Sequence, residues 1–522
     1  MSIVSVQDAW PRECPELEST LRILGAMRLA LLVGRDLGPN RSWGIALRQL
    51  IQQGHDVVAG AQALPSPLPG SVSGYEIFPR DIVTDYYLSI PVDDRAPERL
   101  ASYVREARYP ETHSVLMGML SRRDSTGTFR TVDREVVLRR LQLALLSQLL
   151  RSKPTHMVFE ETPHEVADFA LFRLAQWLGI PVLFFQPSLV GPQVVARSSL
   201  TDIVEVDCPL VGPKNLVADR KSVQSISRGA IAKLQTGGGT ALLDRQKRVD
   251  GASSRGSQKI HVVKHVARRL GSSPANRLVN LTGHVLLGER FRRALEVVLE
   301  WSLRRSLHRT VARLPSGPSN PAAKYALFAL HYEPERTNMP EGLPYLSQLD
   351  AVLEARAFLP SDVTLLVKEH YAQQSSSLRG YVGRSITAYE YLGSVPGIEV
   401  LGVGANSGTL MKDAECIFTI TGKIGIEAAF AGTPAVYLGQ PWWGGMPGSF
   451  AFSTLKNWNA LAAKKMPTER EVESWFEQQV SRRLLVGLGG TSPEKYSARI
   501  AALPEGYEQL EAEAILGAIA RI

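Results

Sequence analysis

Residues 416–439 read CIFTITGKIGIEAAFAGTPAVYLG, and this stretch decides the fold. The opening CIFTI (416–420) is too short for a helix and rich in residues that suit a buried strand. A turn at Thr421-Gly422-Lys423 opens a helical run over about 424–431, which Gly432-Thr433-Pro434 stops before a second apolar strand, PAVYLG (434–439). Strand, helix and strand in this order make a crossover unit, which sets the two strands parallel.

Working outward, the same unit recurs. YALFAL (325–330), a helix over 346–358, VTLLVKEH (363–370), a helix near 384–393, IEVLG (398–402) and a helix over 407–414 precede it. The alternation predicts a parallel sheet covered by helices, a Rossmann-like domain over 321–465. A similar pattern fills 1–208. MRLALLVG (27–34) is a strand, followed by a loop with Asp36, Gly38, Pro39 and Asn40, a helix from 42 and a strand at 56–58. Later come a helix over 132–150, the strand HMVF (156–159), the loop EETPH (160–164), a helix over 166–178 ended by Gly179, and a strand at 181–185. Between the halves, 209–320 has no strand pattern. It contains TGGGT (236–240), and over 255–313 it carries 13 Lys+Arg against 3 Asp+Glu, so it reads as a basic helical insertion. The last segment, 466–522, opens with a capping box of Thr468 and Glu471, runs helical to about 485, and is expected to pack as helices across the domains. The fold class is therefore α/β: two Rossmann-like domains facing a cleft, with a basic helical insertion between them.

Composition agrees. A chain of 522 residues exceeds what one core usually holds, and 44% hydrophobic with 21% charged residues excludes disorder as an overall description. No apolar run approaches the roughly 18–20 residues of a membrane span. Asp8, Arg12, Glu13, Glu16 and Glu18 interrupt the first twenty positions, so no secretion signal is read and a cytoplasmic location is expected. Cys14, Cys208 and Cys416 are far apart and form no CxxC pair, which gives no metal or redox motif. The formal net charge of +8 points to an anionic partner without naming it.

In open parallel sheets ligands bind beyond the carboxyl ends of the strands. Four such exits carry polar clusters: His331, Glu333 and Glu335 after YALFAL; Lys368, Glu369 and His370 after VTLLV; Thr421, Gly422, Lys423, Gly425 and Glu427 after CIFTI; and Glu160, Glu161 and His164 after HMVF. Solvated strand ends use the same residue types, but three neighbouring exits in one domain weigh towards a site. Glycines at a turn into a helix let amides approach a phosphate, and Glu427 either meets a ribose or base or merely complements the helix dipole. The corner is neither a phosphate-binding G-K-[ST] loop nor a complete G-x-G-x-x-G, which disfavours a kinase or a dehydrogenase. Glu160, Glu161 and His164 offer a general base or nucleophile facing the other domain.

ALHYEPE (329–335), LPSDVTLLVKEH (359–370), TITGKIGIEAAFAGTPAVYLG (419–439) and EETPH (160–164), in this order, resemble the capsular polysaccharide biosynthesis family of bacterial glycosyltransferases, which includes Kdo transferases. The resemblance implies a GT-B architecture with a nucleotide-sugar donor, such as a CMP-linked one, held by the C-terminal domain. It implies Lys368 and His370 at the donor phosphate, Thr421, Gly422 and Gly425 as its cradle, and Glu427 at the nucleoside. Tyr371 stands where the family has proline, Lys423 where it often has a small hydroxyl residue, and 209–320 has no matching counterpart. Glycosyl transfer to a saccharide or glycolipid acceptor is expected without a metal or other cofactor, with Glu160 or Glu161 as acid/base. Residues 255–313 are expected to meet an anionic glycolipid or the inner membrane surface. Nucleic acid is disfavoured, because Phe291 and Trp301 are the segment's only aromatics. A nucleotide-sugar 2-epimerase and a non-catalytic scaffold of a polysaccharide assembly complex remain as alternatives.

Overall fold

The computed structural model describes residues 26–33, 41–61, 76–78, 89–124, 129–188, 192–205, 289–335, 337–375, 378–482, 484–488, 500–501, 503 and 505–522. Expectations for Cys14, Cys208, the loop at 36–40, the TGGGT stretch and the basic segment up to 288 fall outside the described residues.

Two sheets organise the chain. The first contains β1 (Arg28–Leu32), β2 (Asp56–Ala61), β3 (Glu76–Phe78), β4 (His156–Phe159), β5 (Val182–Pro187) and β6 (Gln193–Arg197). The second contains β7 (Tyr325–Ala329), β8 (Thr364–Lys368), β9 (Ile398–Leu401), β10 (Ile417–Thr419), β11 (Ala435–Tyr437) and β12 (Ser449–Ala451). A last strand, β13 (Leu484–Val486), returns to the first sheet, whose order is β13-β6-β5-β4-β1-β2-β3. The second sheet runs β12-β11-β10-β7-β8-β9 with every pair parallel, which is the 3-2-1-4-5-6 order of the dinucleotide-binding fold.

The strands read as uninterrupted apolar runs because helices cover both faces of each sheet. On one face of the first sheet the helices Tyr109–Arg123, Thr131–Ser152 and Val166–Trp177 pack with Phe159, Phe169, Phe172 and Phe184 into one core. Each such buried ring contributes about 1.5–3 kcal/mol of transfer free energy. The other face is covered by Ser42–Gln52 and by Tyr507–Ile519 from the far end of the chain. Buried Glu511 fixes that return: Ser42 Oγ donates to its Oε2 at 2.6 Å and the Leu488 amide to its Oε1 at 3.0 Å. The tail thus adds a strand and a helix to the first domain. It begins with the capping box, in which the Thr468 amide donates to Glu471 Oε2 at 2.7 Å and the Glu471 amide to Thr468 Oγ1 at 3.3 Å.

The helix Glu289–Val311, which the sequence places in the basic insertion, sends Leu307 and Val311 into the core of the second domain. The two domains share a further cluster in which Val195 of β6 meets Ile426, Phe430, Trp442, Trp443 and Phe476. Among the described residues no helix is long and apolar enough to cross a membrane.

Candidate functional site

Strand order decides where a crevice opens. In the second sheet the chain winds away from β7 on one side and from β10 on the other, so the loops at their carboxyl ends diverge and leave room for a ligand. His331, just past β7, and Thr419, the last residue of β10, meet at that point. The Thr421 amide donates to His331 Nε2 at 3.3 Å, and Thr419 Oγ1 lies 3.1 Å from the same nitrogen while accepting from the Gly422 amide at 3.1 Å. His331 Nε2 is therefore an acceptor and the ring is neutral. Burial, reinforced by His370 and Arg384, pushes its pKa down to about 3.

The exit of β8 joins the same cluster. The Ala372 amide donates to His370 Nδ1 at 3.1 Å, which leaves the proton of the neutral ring on Nε2. Burial lowers the His370 pKa to about 4; Glu369 opposes the shift, while the charges of Lys368, Lys423 and Arg384 reinforce it. Lys368, only 9% exposed, donates to the Glu369 carbonyl at 3.1 Å. His331, Lys368, His370, Thr421 and Lys423 thus converge.

Arg384 organises this cluster, and the sequence reading missed it. Its Nε donates to Glu369 Oε2 at 3.0 Å, its Nη1 to Glu333 Oε2, and its Nη2 to the His331 carbonyl at 3.1 Å. Burial pulls its pKa down, but Glu369 and Glu333 outweigh that and hold it above the ordinary value. Glu369 is fully buried; besides Arg384 it accepts from Tyr389 Oη at 2.7 Å and from the His370 amide at 2.6 Å. Glu369 and Glu333 accordingly serve as the frame that holds the histidines in place.

The corner after β10 differs in detail from a simple phosphate cradle. The Thr421 and Gly422 amides are already donated to His331 and Thr419. Gly425 is required by packing: a Cβ there would lie 2.2 Å from the Trp443 ring. Lys423 Nζ donates to Glu427 Oε1 at 3.1 Å, one helical turn along.

In the first sheet the strands diverge at β1 and β4. Glu160, 4% exposed, follows β4 directly, and its amide donates to the Leu32 carbonyl of β1 at 3.1 Å. The Glu161 side chain is more open at 16% exposed and lies 3.8 Å from His164, whose Nδ1 is 2.9 Å from the Thr162 carbonyl oxygen. This loop reaches the second domain through Thr162, whose Oγ1 donates to buried Glu341 at 2.7 Å. Arg122, from the helix Tyr109–Arg123, donates to the carbonyls of Glu335 at 3.1 Å and Met339 at 2.9 Å. Burial lowers its pKa to about 10 against the opposing pull of Glu165, Glu333 and Glu335, which places carboxylates of both domains around one guanidinium.

The histidines carry a pH consequence. Both are held neutral in the fold below the ordinary value near 6.5, so the unfolded chain takes up their protons first as the pH falls. Stability is full above about 6.5 and declines towards pH 4. His370→Asn keeps a capping acceptor for the Ala372 amide and removes one titrating ring. Urea midpoints measured from pH 7 to pH 4 are expected to fall less steeply in this variant; an unchanged slope would contradict the assignment.

No family model matches the chain, and no curated protein matches it. Among solved structures it is similar to the beta Kdo 2,7 transferase KpsC of Thermosulfurimonas dismutans, at 10% identity over 72% of this chain and 97% of that one, with a TM-score of 0.26. It is similar to UDP-GlcNAc 2-epimerase from Methanocaldococcus jannaschii at 14% identity over 91% and 99% of the two chains, TM-score 0.20. It is also similar to the glycosyltransferase of kitacinnamycin at 13% identity over 95% and 96%, TM-score 0.17. At such scores the functional reading rests on this chain's own residues.

Proposed function

We propose that the chain is a GT-B glycosyltransferase that moves a sugar from a nucleotide donor to a saccharide or glycolipid acceptor. The observation that carries the reading is the convergence of neutral His331 and His370 with cationic Lys368 and Lys423 at the switch point of the all-parallel second sheet, next to the carboxylate loop of the first. Lys368, Lys423 and the Nε2–H of His370 offer fixed donors to the phosphate oxygen that takes the electron pair when the bond to the anomeric carbon breaks. The acceptor oxygen forms the new bond to that carbon and gives its proton to Glu161, which is more accessible than Glu160. Donors of this kind can serve the leaving group in place of a metal, so turnover is expected to persist in excess chelator.

The helix Glu289–Val311 supports a membrane-facing role. Val298 and Trp301 are exposed along one face of it with Arg305, which stacks on Trp301 at 5.2 Å, and Leu299 and Leu303 are exposed on another. Arg304 instead packs on Tyr381.

A nucleotide that binds only the folded state raises the thermal midpoint. A panel of CMP, UDP, GDP and dTDP is expected to give one clear shift, which Lys368→Ala abolishes; a flat panel defeats the reading. Turnover of the matching nucleotide sugar without any acceptor would favour an epimerase. Flotation with anionic liposomes that is lost at high salt would bear out the membrane contact, and no flotation at low salt would remove it.

A further inference from the structure

Residues 333–335 and 337–342 touch both halves of the proposed site. At the donor end the Thr421 hydroxyl donates to the Thr337 carbonyl at 2.9 Å, and Asn338 Nδ2 donates to Glu333 Oε1 at 3.1 Å, on the carboxylate that holds Arg384. At the other end buried Glu341 accepts from Thr162 Oγ1 at 2.7 Å. The middle is clamped to the first domain by Arg122, on the Glu335 and Met339 carbonyls, and by Met339 itself, which lies so close to Gly118 that a Cβ there would be 2.6 Å from its terminal methyl. Thr162 is completely buried. Its hydroxyl goes to Glu341 and its carbonyl meets His164 Nδ1 at 2.9 Å, and that ring lies 3.8 Å from Glu161.

We propose that residues 333–335 and 337–342 form the spacer that sets the gap between donor phosphate and base, and that Glu341 and Thr162 are positioning residues which aim Glu161 through their mutual hydrogen bond. The inference rests on the transferase reading above. It assigns these two residues no contact with substrate. Their effect is on the placement of the carboxylate, and a displacement of about 1 Å at a reacting group costs up to about 100-fold in rate.

The test uses the full chain and follows nucleotide release from CMP-, UDP-, GDP- and dTDP-linked sugars in the presence of an oligosaccharide acceptor mixture, with the acceptor-free rate subtracted. Thr162→Val, which keeps shape and loses the hydroxyl, is expected to lower kcat about 10–100-fold with the donor KM within about twofold of wild type. Thr162→Ser, which restores the hydroxyl, is expected to recover kcat to within about threefold. Glu341→Met breaks the same bond from the other side, and the double variant is expected to be no slower than the worse single one. A Thr162→Val enzyme with unchanged kcat, a Thr162→Ser enzyme as slow as the valine form, or additive losses in the double variant would overturn the spacer role while leaving the transferase reading intact. A wild-type chain that turns over none of the four donors overturns both.

Discussion

Glu161→Gln is expected to lower kcat by about 10²–10⁴-fold while the nucleotide affinity stays within a factor of two. The glutamine keeps the size and polarity of the side chain and loses the ability to take a proton from the acceptor. Its place at the exit of β4, 3.8 Å from His164 and on the first-domain side of the Thr162–Glu341 bond, separates it from the groups proposed to hold the donor, so binding and chemistry should divide cleanly. Glu160 makes the useful comparison. It is 4% exposed, so Glu160→Gln is expected to act mainly on the stability of the loop. Steady-state kinetics on both variants, with nucleotide titration alongside, checks this. Equal activity in wild type and Glu161→Gln would remove the base assignment, and a loss confined to Glu160→Gln would transfer it.

Arg384→Met should destabilise the second domain by about 3–5 kcal/mol. The arginine is the cation in a buried set whose carboxylates are Glu369, fully buried, and Glu333, 18% exposed at its side chain. Removing it leaves the Glu369 carboxylate, among the described residues, with hydrogen bonds from the Tyr389 hydroxyl and the His370 amide. Two hydrogen bonds offset only part of the hydration that a buried carboxylate loses. The double variant Arg384→Met/Glu369→Gln is expected to recover part of the loss, because the uncompensated charge is gone. Urea denaturation of the three variants provides the measurement. A loss below about 1 kcal/mol in Arg384→Met, or no recovery in the double variant, would show that the cluster does not frame the histidines.

Most of the second domain was legible in the sequence. YALFAL, VTLLV, IEVL and CIFT became β7 to β10 within a residue or two, since short apolar runs between helices have few other uses in a buried sheet. β3, β6, β12 and β13 escaped, and two of them are instructive. β6, with its run of QVVAR, and β13, with LLV, pair antiparallel with each other at one edge of the first sheet, although the whole second domain lies between them in the chain. Nothing local marks such a pairing, and a three-residue strand has no periodicity to read.

The candidate site divides in the same way. His331, Lys368 and His370 could be picked out because each stands at a strand exit, where side chains escape the sheet's packing. Arg384 could not. It precedes the helix Ile386–Ser394 in a stretch with no motif, and only the fold brings it between Glu333 and Glu369. Thr162 sits inside the quoted EETPH loop, but nothing there marks its bond to Glu341, which joins residues of different domains. Gly425 was noticed, but its reason lay in the Trp443 ring packed against it.

The sequence by itself determined the alternation of strands and helices, the two α/β halves and the exits where polar side chains collect, because these follow from local periodicity, glycine punctuation and strand length. Tertiary structure alone decided the strand order that makes a switch point of His331 and Thr419, the return of Leu484–Val486 and Tyr507–Ile519 to the first domain, and the burial that sets the histidines neutral. Those depend on contacts between residues far apart in the chain and on the loss of water around them, and neither is written in any short stretch of residues.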